Sequence, residues 1–476
     1  MNKQFENQYN FTQDEWESCL KVLHSLKENP LNNPDNKTFG ALVTKIHKTA
    51  KKELKSIVVE TSGASGHKQR ITKRKHKRQL HKEHDLALVK KTQIVHNALS
   101  LKTLFTHDKT IESYFIPLKS SKSCYCCDKT YTQLHSFYHK LCPNCATLNY
   151  NQRALELDLS GRNVILTGGR VKVGYATALR FLRSGANLTI TSRFPALSLE
   201  QFKQEHDYEQ WAERLSVYGL DLRNLRAIED FIAYYKSKHK HLDILVNNAA
   251  QTIKYMEEQY RPLIQHEQKL LAKSKEPRLI ANTTAVVNEV KSLDYIDKSI
   301  AKIPLNRFGQ PVDFREKNSW NSTLEEISTH ELLEVNLINN IAPYMLIKEL
   351  TPLFRASSFK EKFIVNVSSS EGQFSYANKT VHHPHTNMTK AALNMMTRTS
   401  GHSYAEDNIY MSSVDVGWIS TGLVESKRKV QFEKGSMPPL DSVDGASRIF
   451  HPIYEALVKG NLIYGKLLKD YRVVEW

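Results

Sequence analysis

The sequence predicts an α/β protein. Its main body is expected to be a doubly wound parallel sheet, preceded by a small four-cysteine zinc knuckle and a basic helical extension. Three observations carry this expectation. From about residue 155, short apolar runs bounded by turns alternate with helical patterns, at 163–167, 187–192, 216–222, 242–247, 363–368 and 410–416. Strands that are apolar throughout are buried on both faces, which a parallel sheet covered by helices provides. Five of the six cysteines fall between positions 124 and 145. The first 150 residues hold 25 Lys/Arg against 13 Asp/Glu, so +12 of the net charge of +17 sits on the front third of the chain.

Residues 1–119 are the extension. Thr12-Gln-Asp-Glu15 fits a capping box, and Trp16, Leu20 and Leu23 follow on one helical face. Pro30 and Pro34 separate this helix from a second near 38–55, where Phe39, Leu42, Ile46 and Ala50 keep helical spacing. The run 61–66, rich in Ser and Gly, predicts a break. Residues 67–91 include Lys73-Arg-Lys-His-Lys-Arg78 and read as a solvated basic helix. Its charge suits an acidic protein or nucleic acid, although no aromatic platform interleaves the run. No apolar run reaches the roughly 20 residues that cross a bilayer, and the N-terminus has no apolar signal core. A cytoplasmic protein with no membrane partner is therefore expected.

Residues 120–152 are the knuckle. Cys124-Tyr-Cys-Cys127 and Cys142-Pro-Asn-Cys145 form two Cys-x-x-Cys pairs. Such pairs supply four thiolates to a tetrahedral Zn²⁺. Cys124, Cys127, Cys142 and Cys145 are the expected ligands, with Cys126 the alternative to Cys124. Four thiolates leave no open position for water, so this metal is expected to staple the fold.

Residues 153–476 make the α/β body. Val164-Ile-Leu-Thr167-Gly168-Gly-Arg170-Val-Lys172-Val-Gly174 reads as a strand, a glycine-bearing turn and a helix start. Backbone N–H groups of such a turn can approach a pyrophosphate, whose charge the helix dipole favours. The next strand ends Thr189-Ile-Thr-Ser-Arg193. A site that selects NAD usually carries an acidic side chain here, for the ribose hydroxyls. Ser192 and Arg193, with Arg170 added, suit a 2′-phosphate, so NADP(H) is expected ahead of NAD(H). Residues 252–328 form an insertion, because the 90 or so residues between Asn247 and Asn336 exceed what one helix needs; it reads as a lid or partner surface.

These segments resemble, in chain order, the motifs of the short-chain dehydrogenase/reductase family, whose body is a Rossmann sheet. The first turn is similar to Thr-Gly-x-x-x-Gly-x-Gly, with Thr167, Gly168 and Gly174 in place and Lys172 where the middle glycine belongs. Asp221-Leu222 resembles the adenine-contacting Asp-Val pair. Asn247-Asn248-Ala249-Ala250 resembles the Asn-Asn-Ala-Gly turn. Val416-Gly417, followed by Thr421, resembles the Pro-Gly turn that touches the carboxamide, and residues 420–439 match the mobile substrate loop. Asn366-Val-Ser-Ser369-Ser-Glu-Gly372 resembles the catalytic serine turn, Leu333-Glu-Val-Asn336 the asparagine helix, and Lys390-Ala-Ala-Leu the lysine helix.

The resemblance implies hydride transfer between nicotinamide and a carbonyl/alcohol substrate. Ser369 would polarise the oxygen, Lys390 would bind the nicotinamide ribose, and Asn336 would hold a water relay. Thr386 stands where the proton-donating tyrosine belongs, and an aliphatic hydroxyl is too weak an acid for that role. His385 and His383 titrate nearer neutrality, and Tyr376 lies on the loop after Ser369. Thr386, together with the preceding cysteine-rich segment, resembles a divergent subgroup of the family. A homodimer or homotetramer through the helices that follow Asn336 and Thr386 is also implied. The competing expectation is a cofactor-binding sensor or scaffold without catalysis.

Overall fold

The structure is a computed structural model that describes residues 10–31, 33–61, 65–99, 112–280 and 304–476. Contacts divide the chain into two units, Met1–Leu80 and His81–Trp476. In the first unit the helix Gln13–Glu28 opens on the expected capping box. Thr12 Oγ1 accepts from the Glu15 N–H at 3.1 Å, and Glu15 Oε2 accepts from the Thr12 N–H at 2.8 Å. A second helix spans Asn36–Thr61, and the basic run lies in the helix Ser65–Lys91. The expected break falls between these two helices, with 62–64 outside the described residues.

The second unit holds a nine-stranded sheet. Its strands are β3 (Asn163–Thr167), β4 (Asn187–Ser192), β5 (Leu215–Gly219), β6 (Ile244–Asn247), β7 (Leu279–Ile280), β8 (Lys362–Ser368), β9 (Ile409–Asp415), β10 (Leu467–Lys469) and β11 (Arg472–Val474). Their order is β11-β10-β9-β8-β6-β3-β4-β5-β7. All neighbours run parallel except β10 and β11. The chain builds outward from β3 to β5, then crosses back to β6 and builds the other way. That reversal leaves a crevice beyond the carboxyl ends of β3 and β6, where sheets of this kind bind ligands.

Alternate residues of each strand enter opposite apolar layers. Val164, Leu166, Ile190, Val246 and Val365 pack with the helices Lys172–Arg183 and Ser442–Lys459. Ile165, Leu245, Ile364 and Met411 pack with the helices Leu225–Lys238 and Ala342–Arg355. Among the described residues no helix is long and apolar enough to cross a membrane.

β1 (Phe115–Ser123) and β2 (Thr130–His135) form an antiparallel hairpin, followed by the helix Pro143–Arg153. This cysteine-bearing knuckle shares one core with the α/β body. Leu134, Tyr138 and Leu141 cluster with Ile419, Met437 and Leu440. A buried charge network reinforces the join. Arg153 Nη1 lies 2.7 Å from Asp441 and 3.0 Å from Asp444, and the Tyr138 hydroxyl donates to Asp444. Arg448 donates to Asn149 Oδ1 at 2.7 Å and to Asp470 at 3.0 Å. Charges so buried are tolerated only when paired in this way.

Candidate functional site

β3 ends on Thr167, whose Oγ1 accepts from the N–H groups of Asn248 and Ala249, both at 3.0 Å. The Asn248 amide donates to the carbonyls of Thr167 and Gly168 at 3.0 and 3.1 Å. Gly168 sits at φ +71°, and a Cβ on Gly174 would lie 2.0 Å from Gly168 O. No side chain fits at Gly174, so the turn keeps the bare backbone that a pyrophosphate cradle requires. Lys172 retains the left-handed backbone of the glycine it replaces, at φ +50°. Its Nζ lies 5.3 Å from the centre of the Phe308 ring. Burial, with repulsion from Arg307, pulls its pKa down to about 8.

Arg193 follows β4. Its Nη2 donates to the Tyr260 hydroxyl at 2.8 Å, and its guanidinium lies over the same ring. Arg170 donates to Gly309 O at 3.2 Å. Burial and the neighbouring Arg193 charge push the Arg170 pKa down to about 10. Among the described residues neither guanidinium forms an ion pair. Asp221 is engaged elsewhere: both its oxygens accept from Arg223 Nε at 3.0 Å, and Arg223 also reaches Glu334 at 3.1 Å. Leu222 is buried in the second apolar layer. Arg170 after β3 and Arg193 after β4 are close cations; Glu267 attracts the first and Asp221 the second, and neither carboxylate comes within ion-pair distance of them among the described residues, which leaves the pair able to take an anion.

A cavity of ≈ 630 Å³ connects these parts. Its wall includes Lys172, Arg193, Gln251, Trp320, Ile419 and Thr421. The insertion contributes Tyr255, Tyr260 and Phe308. Gly417, at φ +82°, donates its N–H to Asp415 Oδ1 at 2.8 Å.

The serine, threonine and lysine lie on adjoining elements. Ser369 precedes the short turn Ser370–Gly372, and Lys390 sits on the helix Pro384–Glu406. A Cβ on Gly372 would lie 2.5 Å from the Lys390 carbonyl carbon, so the serine turn presses against the lysine. Lys390 is buried and donates to Val367 O at 2.6 Å. Burial outweighs attraction from Glu371 and Asp415 and takes its pKa down to about 8. Thr386 is buried one turn earlier, and its hydroxyl has no hydrogen-bond partner among the described residues. His385 donates from Nε2 to Thr252 O at 3.2 Å, with Glu331 3.8 Å away. Burial lowers its pKa, which favours the neutral ring, and its buried Nδ1 has no hydrogen-bond partner among the described residues. His383 donates from Nδ1 to Trp320 O at 2.8 Å and stacks on the Trp320 ring at 4.2 Å. Tyr376 is exposed, with Lys469 Nζ over its ring.

Asn336 turns back on its own helix, donating to Leu332 O at 2.8 Å. Asn339, in the π-helical turn Leu337–Ile341, makes the bridge instead. Its amide donates to Thr389 Oγ1 and Gln251 O, both at 3.0 Å, and its oxygen accepts from the Gln251 N–H at 2.8 Å. Sequence reasoning did not single out Asn339 or Gln251. A π-turn shifts the helical register, and periodicity does not register that shift. Ser369, Thr386 and Lys390 are not part of the cavity wall. Trp320 and Gln251 line that wall and connect it to His383 and Asn339.

The sulfurs of Cys124, Cys127, Cys142 and Cys145 lie within 4.8 Å of one another, with Cys127 and Cys142 3.7 Å apart. A tetrahedral site with Zn–S bonds of about 2.3 Å has edges of about 3.8 Å, so the four thiols fit such an ion. Cys126 lies outside this group of four but hydrogen-bonds to Cys124 and Cys145, and it donates to the buried Asp470 at 3.2 Å.

Residues 162–293 match the short chain dehydrogenase family, and residues 285–442 match the enoyl-(acyl carrier protein) reductase family. The chain belongs to the short-chain dehydrogenase/reductase family. An uncharacterized protein of Acanthamoeba polyphaga mimivirus is 30% identical over 376 residues, covering 75% of this chain and 78% of that protein. The WW domain-containing oxidoreductase of Gallus gallus is 34% identical over 105 residues, which are 21% of this chain and 25% of that protein. A solved NADPH-bound carbonyl reductase from chicken fatty liver aligns over 68% of this chain and 100% of its own, at 18% identity and a TM-score of 0.42. In this short-chain dehydrogenase/reductase, Thr386 lies four residues before Lys390 on the same helix face.

Proposed function

We propose that the chain binds NADP(H) and interconverts a carbonyl and an alcohol through an altered proton-transfer site. The observation that carries the cofactor choice is the Arg170/Arg193 pair, two neighbouring cations that Glu267 and Asp221 attract from a distance and that no carboxylate contacts directly among the described residues. A 2′-phosphate would compensate both, and NAD(H) offers no such group. The glycine turn and Lys172 would hold the pyrophosphate, with residues 417–421 at the carboxamide end. Bound nicotinamide would supply the hydride.

Ser369 would polarise the substrate oxygen. Lys390, still charged near neutral pH, would hold the ribose. Thr386 cannot supply the proton, so His385 is the proposed carrier: Nε2 is committed to Thr252 O, and Nδ1 is left to take up and release a proton. Cys124, Cys127, Cys142 and Cys145 would hold a structural Zn²⁺. A second copy of the chain would pack on the helix faces that expose Leu333, Tyr344, Met388 and Met395.

Transfer of deuterium from NADPH labelled at C4 to a panel of aldehydes and ketones, read by mass spectrometry, tests the activity. Ser369→Ala should slow transfer by about 100-fold, as loss of an oxyanion-stabilising donor does. Unimpaired transfer in His385→Ala would remove the histidine from the scheme.

One observation favours a second reading: the serine, threonine and lysine do not line the cavity. In that reading the chain is a catalytically silent nucleotide sensor or scaffold whose basic extension binds nucleic acid or an acidic protein. Absence of transfer by NADPH-saturated protein, with salt-dependent retention on heparin or RNA, would support it.

A further inference from the structure

Residues 416–440 provide one wall of the cavity, through Ile419, Thr421 and Phe432 among others. They carry one short helix, Glu425–Glu433, with no buried residue. Such a segment does not fix its own position, and it is held from two sides. On one side the insertion grips it. The Asn318 amide donates to Gly422 O at 2.9 Å, and Asp313 O accepts from the Glu425 N–H at 2.8 Å.

The other side is the cysteine knuckle. The Trp418 N–H donates to the Tyr125 hydroxyl at 2.8 Å. His139 Nε2 donates to Met437 O at 3.2 Å, and Lys140 Nζ lies 4.7 Å over the Trp418 ring. Cys124 and Cys142 belong to the same apolar cluster as Ile419, Met437 and Leu440. A Cβ on Gly417 would lie 3.5 Å from the Tyr125 hydroxyl, so the knuckle reaches this turn in ordinary van der Waals contact, and 2.5 Å from Leu440, so the segment is tightly packed on itself there. Just beyond, Arg153 pairs with Asp441, which caps the helix Ser442–Lys459 and also lines the cavity.

Tyr125 sits inside the first Cys-x-x-Cys turn, so its place depends on that turn. A two-stranded hairpin is marginal alone, and four cysteines supply a fixed turn only when a cation holds their thiolates together. Resting on the metal and cofactor readings above, we infer that the metal-loaded knuckle positions residues 416–440, so that the nucleotide cavity keeps this wall only while Cys124, Cys127, Cys142 and Cys145 hold a metal ion. Tyr125 is the positioning residue, acting through the backbone of Trp418.

The test is hydrogen exchange on the full chain, zinc-loaded and after chelation, with zinc content measured in both. Peptides across 416–440 should lose about tenfold or more of their protection on metal loss, while β3, β4 and β6 keep theirs. NADPH affinity should fall by a similar factor. Tyr125→Phe should retain zinc, raise exchange at 416–420 and weaken NADPH about threefold, by loss of one hydrogen bond. Unchanged exchange in 416–440 after verified metal loss overturns the inference, as does equal loss of protection across the whole sheet. Failure of zinc-loaded wild type to bind NADPH would overturn the cofactor reading alone, because the exchange pattern still decides the role of the knuckle.

Discussion

At the scale of single residues, two lysines carry the sharpest consequences. Lys172 occupies a left-handed position that costs an L-residue about 1 kcal/mol, while a glycine there gives back a comparable amount of unfolded-state entropy. Lys172→Gly should therefore leave thermal stability nearly unchanged. It should weaken NADPH about tenfold if the ammonium group meets phosphate. Tighter binding in this variant would mean that the side chain obstructs the turn. Lys390 has a folded pKa of about 8 against an ordinary 10.5. Below pH 8 the folded state bears the full cost of a buried charge. Between 8 and 10.5 the unfolded chain holds more protons, so stability rises with pH across that window. Lys390→Met removes the effect, so its stability advantage over wild type should shrink by roughly 3 kcal/mol from pH 7.5 to 10.5. A difference that does not vary with pH in denaturant titrations would contradict this. The residues that the sequence singles out are those with distinctive chemistry: the glycines, Arg193, Ser369, Lys390 and the cysteines. Asn339, Gln251 and Trp320 were not legible, because their roles come from a π-turn and an insertion that no spacing encodes.

At the scale of elements, the six longer strands were visible because each is a short apolar-rich run bounded by turns. β7, β10 and β11 have two or three residues, too few to show a period, and their sheet pairing comes from tertiary context. β5 closes at Gly219, before the end expected at 222; Leu220 still donates its N–H to Ser192 O at 2.9 Å, and Leu220 and Leu222 are buried in the second apolar layer. The knuckle was legible as a cysteine cluster with metal-ligand spacing but not as part of the body's core. Only the fold brings Tyr138 and Arg153 to Asp444 and Asp441, some 300 residues on. The helices bearing Leu333, Tyr344, Met388 and Met395 leave these apolar side chains exposed. Light scattering after size exclusion should report a dimer or tetramer, and Tyr344→Glu with Met395→Glu should return it to a monomer. A wild-type monomer at micromolar concentration would exclude that interface.

At the scale of the whole molecule, the sheet's reversal between β3 and β6 supplies the crevice, the insertion lines the cavity, and the knuckle packs against the 416–440 wall. The inserted residues bring Tyr260 to Arg193 and Trp320 to His383. The knuckle steadies the 416–440 wall. The central claim is that this crevice is an NADP(H) site, kept although Thr386 stands at the tyrosine position. The most direct measurement is a fluorescence titration of zinc-loaded protein with NADPH and NADH, repeated on Arg193→Ala. NADPH should bind at least about tenfold more tightly than NADH, and Arg193→Ala should erase that preference while sparing NADH, as loss of a charged contact to the 2′-phosphate requires. Equal affinity for both nucleotides, or binding of neither, would contradict the account.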